Sequence, residues 1–193
     1  SGDANIAMGC NTLYNNGSSC YNIALGIEAG RCNSGNSNVF FGMFAGKCNT
    51  GGRCNVFIGN YAGQGAASSG GTGHNNIAIG CNTLKNNLTT ACYNIAMGAG
   101  AGQCISTGNY NLMFGMYSGD KITTGFGNVV MGTNAGCAIS DGDYNVSLGW
   151  YAGRGGVSSP STNTATDNIA IGRCAGLVLT TGTGNILIGC KSG

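Results

Sequence analysis

Eleven cysteines are the most reactive side chains of this sequence, which has only one histidine and six carboxylates. Thiolates act as nucleophiles, form disulfides and bind soft metals, and each role needs partners at a defined spacing. The sequence has no Cys-x-x-Cys pair, so the local signature of a zinc site is missing. The cysteines are Cys10, Cys20, Cys32, Cys48, Cys54, Cys81, Cys92, Cys104, Cys137, Cys174 and Cys190.

The other ionisable residues do not form a catalytic pattern. His74 is the one histidine, and it lies among Gly and Asn. Asp141 and Asp143 flank Gly142, a pattern that is typical of a tight turn. No third carboxylate lies nearby in sequence, so we do not expect a calcium or acid-base site there. No Gly-rich stretch ends in the Lys-Ser/Thr pair of a phosphate loop. We therefore expect no enzyme activity and no cofactor, apart from a metal bound by cysteines.

Composition narrows the class of protein. Gly accounts for 38 of 193 residues and Pro for only 1, which excludes collagen, and 42% hydrophobic residues are too many for a disordered tail. The net charge is +2 without a basic run, so we expect no nucleic-acid partner. No apolar window reaches the ~18 residues of a membrane span, so we expect no membrane insertion. We expect one repeat domain, residues 1–193, that is a fragment of something longer.

The elements that must position these side chains are short repeats. The pattern Asn, apolar, any, apolar, Gly occurs eleven times, most often 17 residues apart. Three strand-forming residues between Gly corners suit one coil of a β-solenoid, whereas Gly every four residues would cost a helix about 1 kcal/mol each. The repeats start at Asn5, Asn22, Asn38, Asn55, Asn76, Asn94, Asn111, Asn128, Asn145, Asn168 and Asn185. The sequence predicts an all-β, parallel β-solenoid or β-roll of about eleven coils and on the order of 50 Å in length.

Each position of the repeat has its own predicted environment. The Asn column should form an amide ladder, each side chain bonding to the next coil. The first and third apolar residues alternate with the second, and we expect the first and third to face the core of the coil. The second residue is then expected to face outward. A strand that is apolar on both faces is covered on both, so we predict an elongated homotrimer that packs through this column. Its largest members are Phe40, Phe57, Met113, Val130 and Leu187.

Two coils carry enlarged loops, from Gln64 to Asn75 and from Arg154 to Asp167. Both begin nine residues after the repeat Asn, so they are expected on the same side of the rod. Insertions on one side of a solenoid often mark its contact face. The loops are either contact sites or tolerated surface insertions. The candidate contact residues are Gln64, His74, Arg154 and Pro160.

Cations and aromatic residues also recur by position. Four cations lie nine residues after their Asn, which predicts one charged edge that keeps the rod soluble and prevents sideways pairing: Arg31, Lys47, Lys85 and Arg154. Four aromatic residues lie six after the Asn: Phe44, Tyr61, Tyr117 and Tyr151. They form either an exposed stripe that stacks on sugar rings or packing contacts inside the coil or between subunits.

The cysteines follow the repeat as well. Cys32, Cys48 and Cys104 all lie ten residues after their Asn. Cys32 and Cys48 belong to neighbouring coils, so their Cα atoms are expected about 5 Å apart, within disulfide range. Three interpretations stay open: reduced thiols that fill narrow coils as small hydrophobes, disulfides, or a metal site that a trimer would build from three copies of one thiolate.

The repeats resemble those of a known group of proteins. Asn5 to Gly30, Asn76 to Gly102 and Asn168 to Gly189 resemble the N-T-A-I-G-x-x-A-G/L … T-T-G-x-x-N repeats of phage tail-fibre and appendage proteins. Such repeats often precede an intramolecular chaperone of the endosialidase type. The Asn-x-x-Ile-Gly pattern is also similar to the head repeats of trimeric autotransporter adhesins, although the period of about 17 residues is longer here.

The resemblance implies a trimeric, fibrous, parallel-β protein on a virion, outside the cell. The chain would then be a fragment of a longer fibre protein that mediates or supports attachment to a host surface through a receptor or glycan. The chaperone domain with its self-cleavage residues has no counterpart in this chain, so no catalytic residue is carried over. Two alternatives to an adhesive role stay open. The chain is either a purely structural shaft without receptor contact, or a binder of a regular surface such as ice or polysaccharide, which would need a solvent-facing Thr or Asn array.

Overall fold

The computed structural model describes residues 2–65, 70–86, 89–155 and 164–193. Eleven three-residue strands form one parallel sheet in chain order, so each strand pairs with the strand before and after it. The strands are β1 (Ile6–Met8), β2 (Ile23–Leu25), β3 (Val39–Phe41), β4 (Val56–Ile58), β5 (Ile77–Ile79), β6 (Ile95–Met97), β7 (Leu112–Phe114), β8 (Val129–Met131), β9 (Val146–Leu148), β10 (Ile169–Ile171) and β11 (Ile186–Ile188). The predicted all-β solenoid is confirmed: it has about ten turns, and the described residues include no helix.

Residues at the same position of the repeat pair with each other in the sheet. Val39 pairs with Val56 and Phe41 with Ile58, so each strand residue lies beside its counterpart in the next coil. The Gly that ends each strand is required by this stacking. Gly42 has φ of 127°, and a Cβ there would lie 2.6 Å from the carbonyl oxygen of Gly59. Only Gly permits this approach of backbone to backbone, and therefore every coil turns at the same place.

Backbone hydrogen bonds join the coils outside the sheet too. Glu28 N donates to Cys10 O at 2.9 Å, and Phe44 N donates to Ile27 O at 2.9 Å, both in the corner that follows the strand. Buried backbone groups must find partners, and in these corners many of them find a partner in the neighbouring coil. The turns are thus as regular as the sheet, although only three residues per coil have strand geometry.

The predicted Asn ladder is confirmed. Asn76 donates to Asn55 Oδ1 from its backbone N at 2.9 Å and from its side-chain Nδ2 at 3.2 Å. Asn76 Nδ2 also donates to Ala91 O at 2.8 Å, and Asn94 repeats the pattern on Asn76 Oδ1. These side chains are fully buried, so the amide column is an internal polar spine of the rod.

The prediction of which strand residues face the core is wrong. The second residue of the strand points inward, and the first and third face outward. Phe40, Phe57, Met113 and Val130, expected at a trimer interface, are buried within their own chain at 0–1% exposure, and Leu187 is half-buried at the last coil. The small residues at the corner of a coil leave room for the second residue, because a Cβ on Gly63 would collide with the Phe57 ring. The inward residue is Ala in five coils: Ala7, Ala24, Ala78, Ala96 and Ala170.

Candidate interaction surfaces

The outer face of the sheet is the largest uniform surface of the rod. Each of the eleven strands contributes its first and third residues, and all of these are Ile, Val, Leu, Met or Phe. None of them is buried, and the exposed fraction reaches 36% at Phe41, 42% at Met131 and 67% at Met8. We call this surface the apolar sheet face. Eleven parallel strands about 4.8 Å apart make it about 50 Å long. Three residues per strand, at a rise of about 3.3 Å each, make it about 10 Å wide.

The predicted charged edge is present, and its cations have partners. Lys47 Nζ lies 2.7 Å from Glu28 Oε2 and 4.6 Å from the centre of the Phe44 ring. Lys85 lies over Tyr61 at 4.9 Å, measured from Nζ to the ring centre. The pKa of the Glu28 carboxyl is lowered, and the main cause is the hydrogen bond from Lys47. The edge therefore combines charge with aromatic packing, and both lysines cover a ring that would otherwise be more exposed.

The aromatic residues six positions after the Asn lie on the outer corner of the coil, not inside it. Phe44 and Tyr61 have φ of 60° and their ring centres are 5.1 Å apart. Tyr151 is capped by Arg154 at 4.7 Å and meets the edge of Trp150 at 4.3 Å. Tyr117 is the exposed member of the four, with 44% of its surface accessible to solvent. The cations cover three of these rings, so the four residues do not form a continuous exposed stripe, which was one of the two alternatives.

A second aromatic row was missed by the sequence analysis. Tyr93, Tyr110, Phe126 and Tyr144 follow one another over four coils, and we call them the aromatic row. Tyr93 and Tyr110 stack at 4.9 Å and 4°, and the next two centroid distances are 5.1 and 5.5 Å. The tyrosines are 50–55% exposed. The signal was a Tyr directly before the repeat Asn, which is obscured because Phe126 lies one residue earlier in its coil.

The enlarged loops begin at one corner of the rod, as predicted. Gln64 O accepts a hydrogen bond from Cys48 N at 2.8 Å, and Arg154 O accepts the equivalent bond from Ala138 N at 2.8 Å. Gln64 and Arg154 therefore hold the same place in their coils, on the same side. Pro160, the fourth candidate contact residue, lies outside the described residues.

His74 belongs to a ladder of its own, so it is not a free loop histidine. Its Nδ1 accepts a hydrogen bond from Arg53 N at 3.3 Å, and its backbone N donates to Cys92 Sγ at 3.3 Å. Equivalent bonds join Cys20 N to Asn36 Oδ1 at 2.9 Å. The side chain two places before the repeat Asn thus caps a backbone N–H of the preceding coil. His74 is exposed, but one of its two ring nitrogens is occupied.

The cysteines are distributed over the surface more than expected. All eleven are free thiols, and only Cys48 and Cys174 are buried, so the interpretation as core filling is wrong for most of them. Cys32 and Cys48 lie in neighbouring coils, and burial, followed by the charge of Cys32, raises the pKa of the Cys48 thiol. Cys104 lies three coils beyond Cys48 and does not join this pair. Among the described residues, no group of three or more His, Cys, Asp or Glu is placed to hold a metal ion.

The two neighbouring aspartates bind the preceding coil. Asp141 Oδ1 accepts hydrogen bonds from the hydroxyl groups of Thr123 and Thr124, both at 2.8 Å. Asp143 Oδ1 accepts one from Phe126 N at 2.8 Å. Both carboxylates therefore link the seventh and eighth coils, which start at Asn111 and Asn128.

Comparison with known proteins adds no relative. No family model, curated protein or solved structure matches the chain. The part of the chain that the structure describes contains no helix long and apolar enough to cross a membrane. What the chain does must therefore be inferred from its surfaces.

Proposed function

We propose that this chain is a rod segment of an extracellular fibrous appendage, of the phage tail-fibre kind. In this proposal three copies pack side by side through their apolar sheet faces, and the rod supports attachment of a virion to its host cell surface. One observation carries the proposal: eleven consecutive strands present two outward apolar residues each, without a polar exception.

The need for a cover follows from the sheet itself. Parallel sheets are normally covered on both faces, and here the coil covers only the inner one. The face measures roughly 500 Å², at the upper end of the apolar patches that monomers expose. Burying it would gain roughly 12 kcal/mol per copy at 25 cal/mol per Å², which is comparable with the cost of bringing two proteins together. The apolar sheet face thus replaces the second residue of each strand as the proposed contact between copies, and it is the larger apolar surface.

Two copies could also cover each other face to face. Three copies are favoured by the resemblance to trimeric fibre and adhesin repeats, and the choice is open to a mass measurement. Sedimentation of the purified chain should give three times its 19.2 kDa mass. The double variant Ile79→Glu/Phe114→Glu, with both charges on the apolar sheet face, should sediment as a folded monomer.

The matched control is Met116→Glu. Met116 is 48% exposed but lies in the corner after β7, off the strand, so this variant should keep the oligomer. A folded wild-type monomer at micromolar concentration would overturn the lateral assembly, and a stable dimer would overturn the trimer alone.

Attachment itself is expected to depend on many weak contacts. A trimer repeats each loop corner and each aromatic row three times, and multivalent binding can exceed the single-site affinity by 10²–10⁴-fold. If the chain is only a shaft, replacing both loops (residues 64–75 and 154–167) by a standard turn would leave adsorption of the particle to its host unchanged. The proposal of a contact role expects adsorption to fall.

A second candidate function is contact with a polysaccharide, and the aromatic row favours it. Tyr93 and Tyr110 cover each other's faces, so sugar contact would use ring edges and hydroxyl groups. Tyr93→Phe/Tyr110→Phe should then weaken retention on surface polysaccharide of the host without changing the fold. The regular Asn array is buried inside the rod, so a binder of a regular surface such as ice would have to rely on a Thr array.

A further inference from the structure

A row of hydroxyl groups follows the rod on the side where each coil returns toward its next strand. Four residues before the next repeat Asn, six of the eight inner coils have a Ser or Thr, and all six are exposed. Counting forward from the preceding Asn hides this regularity, because the two enlarged loops displace Thr72 and Thr164. We call these residues the hydroxyl row: Ser34, Thr72, Thr90, Thr107, Thr124 and Thr164.

Backbone hydrogen bonds hold the hydroxyl row in register. Thr107 N donates to Thr123 O at 3.1 Å. Thr124 N donates to Ser140 O at 3.4 Å, so the acceptor again lies one residue before the row position of the next coil. Because the same bond recurs at the same place, neighbouring members of the row lie about 4.8 Å apart along the rod axis.

The aromatic row runs beside the hydroxyl row through four consecutive coils. Thr107 precedes Tyr110 by three residues, and the two residues between them are the buried Gly108 and the half-buried Asn109. The exposed rows are therefore the two edges of a shallow trough, at most about 10 Å wide, since three residue steps separate them. We call this surface the hydroxyl–aromatic strip: residues 90–93, 107–110, 124–127 and 141–144.

Both edges of the strip present hydroxyl groups. A hydroxyl has one hydrogen to donate and two lone pairs that accept. Thr124 Oγ1 donates to Asp141 Oδ1 at 2.8 Å, and its lone pairs remain available to an external donor. The tyrosines of the aromatic row are 50–55% exposed, so their hydroxyl groups can donate as well as accept. The complementary partner carries many hydroxyl groups at a regular spacing, which is the chemistry of a polysaccharide.

The charge of the strip selects among polysaccharides. Its charged side chains are Asp141 and Asp143, and both are acidic. An acidic chain would be repelled by these carboxylates, and like charges that face each other across a contact disfavour binding. An uncharged chain meets no such repulsion, and its hydroxyl groups can donate to the carboxylate oxygens. The strip is therefore complementary to a neutral polymer.

The neighbours of the hydroxyl row favour a flexible partner over a flat one. Arg53 and His74 are exposed two residues before their repeat Asn, beside the row in the third and fourth coils. These side chains differ in size and charge from coil to coil, so the face is uneven. A rigid lattice such as ice would touch only the most prominent side chains, whereas a single polymer chain can follow the trough.

We propose that the hydroxyl–aromatic strip binds an uncharged polysaccharide whose chain runs parallel to the rod axis. This inference rests on the second candidate function, to which it adds the class of polysaccharide and a second set of contact residues. The first and last of the four coils lie about 14 Å apart, so several consecutive sugars make equivalent contacts. Each contact is weak, and their number gives the affinity.

Electrophoresis in native gels that contain a soluble polysaccharide tests the class of partner. The neutral polymers are hydroxyethyl cellulose, galactomannan and dextran, and the acidic ones are alginate and polygalacturonate. The protein should be retarded by at least one neutral polymer and by neither acidic one. Retardation by the acidic polymers to the same degree, or by no neutral polymer, would overturn the proposal.

The variant Thr90→Val/Thr107→Val tests the hydroxyl row. Valine keeps the shape of threonine but removes the hydroxyl, so two hydrogen bonds are lost and the affinity for the retained polymer should fall about tenfold. Thr133→Val is the matched control, because Thr133 is partly exposed in the corner after β8, away from the strip. This control should bind like the wild type. Unchanged melting curves and sedimentation confirm that fold and assembly are intact.

Comparison with Tyr93→Phe/Tyr110→Phe separates this inference from the second candidate function. Weaker binding in both double variants supports the strip. Weaker binding in the tyrosine variant alone would keep the sugar contact of the aromatic row and overturn the role of the hydroxyl row. Thermal hysteresis that the threonine variant abolishes, without retardation by any polysaccharide, would assign the row to ice and overturn the proposal.

Fragments of the retained polymer test the direction of the chain. Affinity should rise with fragment length up to at least about four sugars, because a chain along the axis reaches a new coil about every 4.8 Å. A single sugar that binds as tightly as the longer fragments would overturn the axial arrangement.

Discussion

The ring of Phe40 occupies the space that a side chain on Gly46 would need: a Cβ at Gly46 would lie 2.2 Å from the Phe40 ring. Gly46 has φ of 59°, and it follows the repeat Asn by eight residues. Coils with Ala at the strand centre can carry Leu at this position, as in the pairs Ala7 with Leu13 and Ala78 with Leu84. Core volume is thus shared between two positions of the repeat, and a large residue at one requires a small residue at the other.

The first prediction concerns this exchange. Gly46→Ala should lower the free energy of unfolding by about 2–5 kcal/mol, the sum of a left-handed backbone penalty and overpacking. Gly17→Ala is the control, because Gly17 has nearly the same φ of 58° but no atom within 4 Å of the added Cβ. Urea denaturation measures both. Equal losses in the two variants would mean that contact with the Phe40 ring costs nothing.

A double variant tests the exchange directly. Phe40→Ala/Gly46→Leu reproduces the pairing of Ala78 with Leu84 in another coil. Its loss of stability should be smaller than the sum of the losses of the two single variants, since residues in contact are not additive. Additive losses would show that the two positions fill separate spaces.

The Asn ladder carries the second prediction. Asn76→Ala removes the acceptor of Asn94 N and the donor to Ala91 O, which leaves buried groups unsatisfied. Each such group costs about 1–3 kcal/mol, so we expect a total loss of about 3–5 kcal/mol. Asn60→Ala, at an exposed position after β4, should change the free energy of unfolding by less than about 0.5 kcal/mol. A comparable loss at both sites in chemical denaturation would remove the special role of the ladder.

The third prediction uses two carboxyl groups with opposite pKa shifts. Lys47 lowers the pKa of Glu28, so ionised Glu28 stabilises the fold at pH values above its unfolded pKa. This stabilisation is lost as pH falls through the folded pKa of Glu28. Burial raises the pKa of Asp120 against the opposing charge of Lys121. The contribution of Asp120 to the stability of the fold is therefore present at low pH, where its carboxyl is protonated. It is lost as pH rises through the folded-state pKa of Asp120.

At neutral pH, Glu28→Gln should accordingly lower the melting temperature and Asp120→Asn should raise it. Both differences from the wild type should shrink when the melts are repeated below the unfolded pKa values of about 4. Shifts of the same sign at neutral pH would contradict the opposite environments of the two groups.

The fourth prediction concerns thiol reactivity. Burial raises the pKa of the Cys48 thiol, and burial also raises the pKa of the Cys137 thiol against a hydrogen bond from Arg154. Alkylation requires the thiolate and access to it, so Cys10 and Cys81, which are exposed, should react at least about tenfold faster at neutral pH. Mass spectrometry of timed alkylation gives the order. Arg154→Ala should slow Cys137 further, because the group that favours its thiolate is removed.

The sequence predicted the architecture because the repeat period and the sheet register are equivalent. Asn55 and Asn76 must align once their coils stack, and the ladder between them follows. The shared corner of Gln64 and Arg154 could be predicted by counting from the repeat Asn for the same reason. Position along a repeat thus predicts alignment along the rod.

The direction of the strand side chains could not be predicted from strand alternation alone. A three-residue strand such as β4 offers two phases, and both faces are apolar. The deciding information lay elsewhere in the coil, in the small residues Ala62 and Gly63, which leave room for Phe57 alone. The aromatic row was missed for a different reason: Phe126 reaches the row from one residue before the position that its neighbours use.

The hydrogen bonds between coils all run nearly along the rod axis, and this determines how the rod responds to force. Tension along the axis would load one junction's bonds directly, so a single rod should open coil by coil at low force instead of resisting as a unit. A fibre that carries drag or anchors a particle would then need neighbouring rods to share the load. Axially offset copies, joined through their sheet faces, would place an intact coil beside every weak junction.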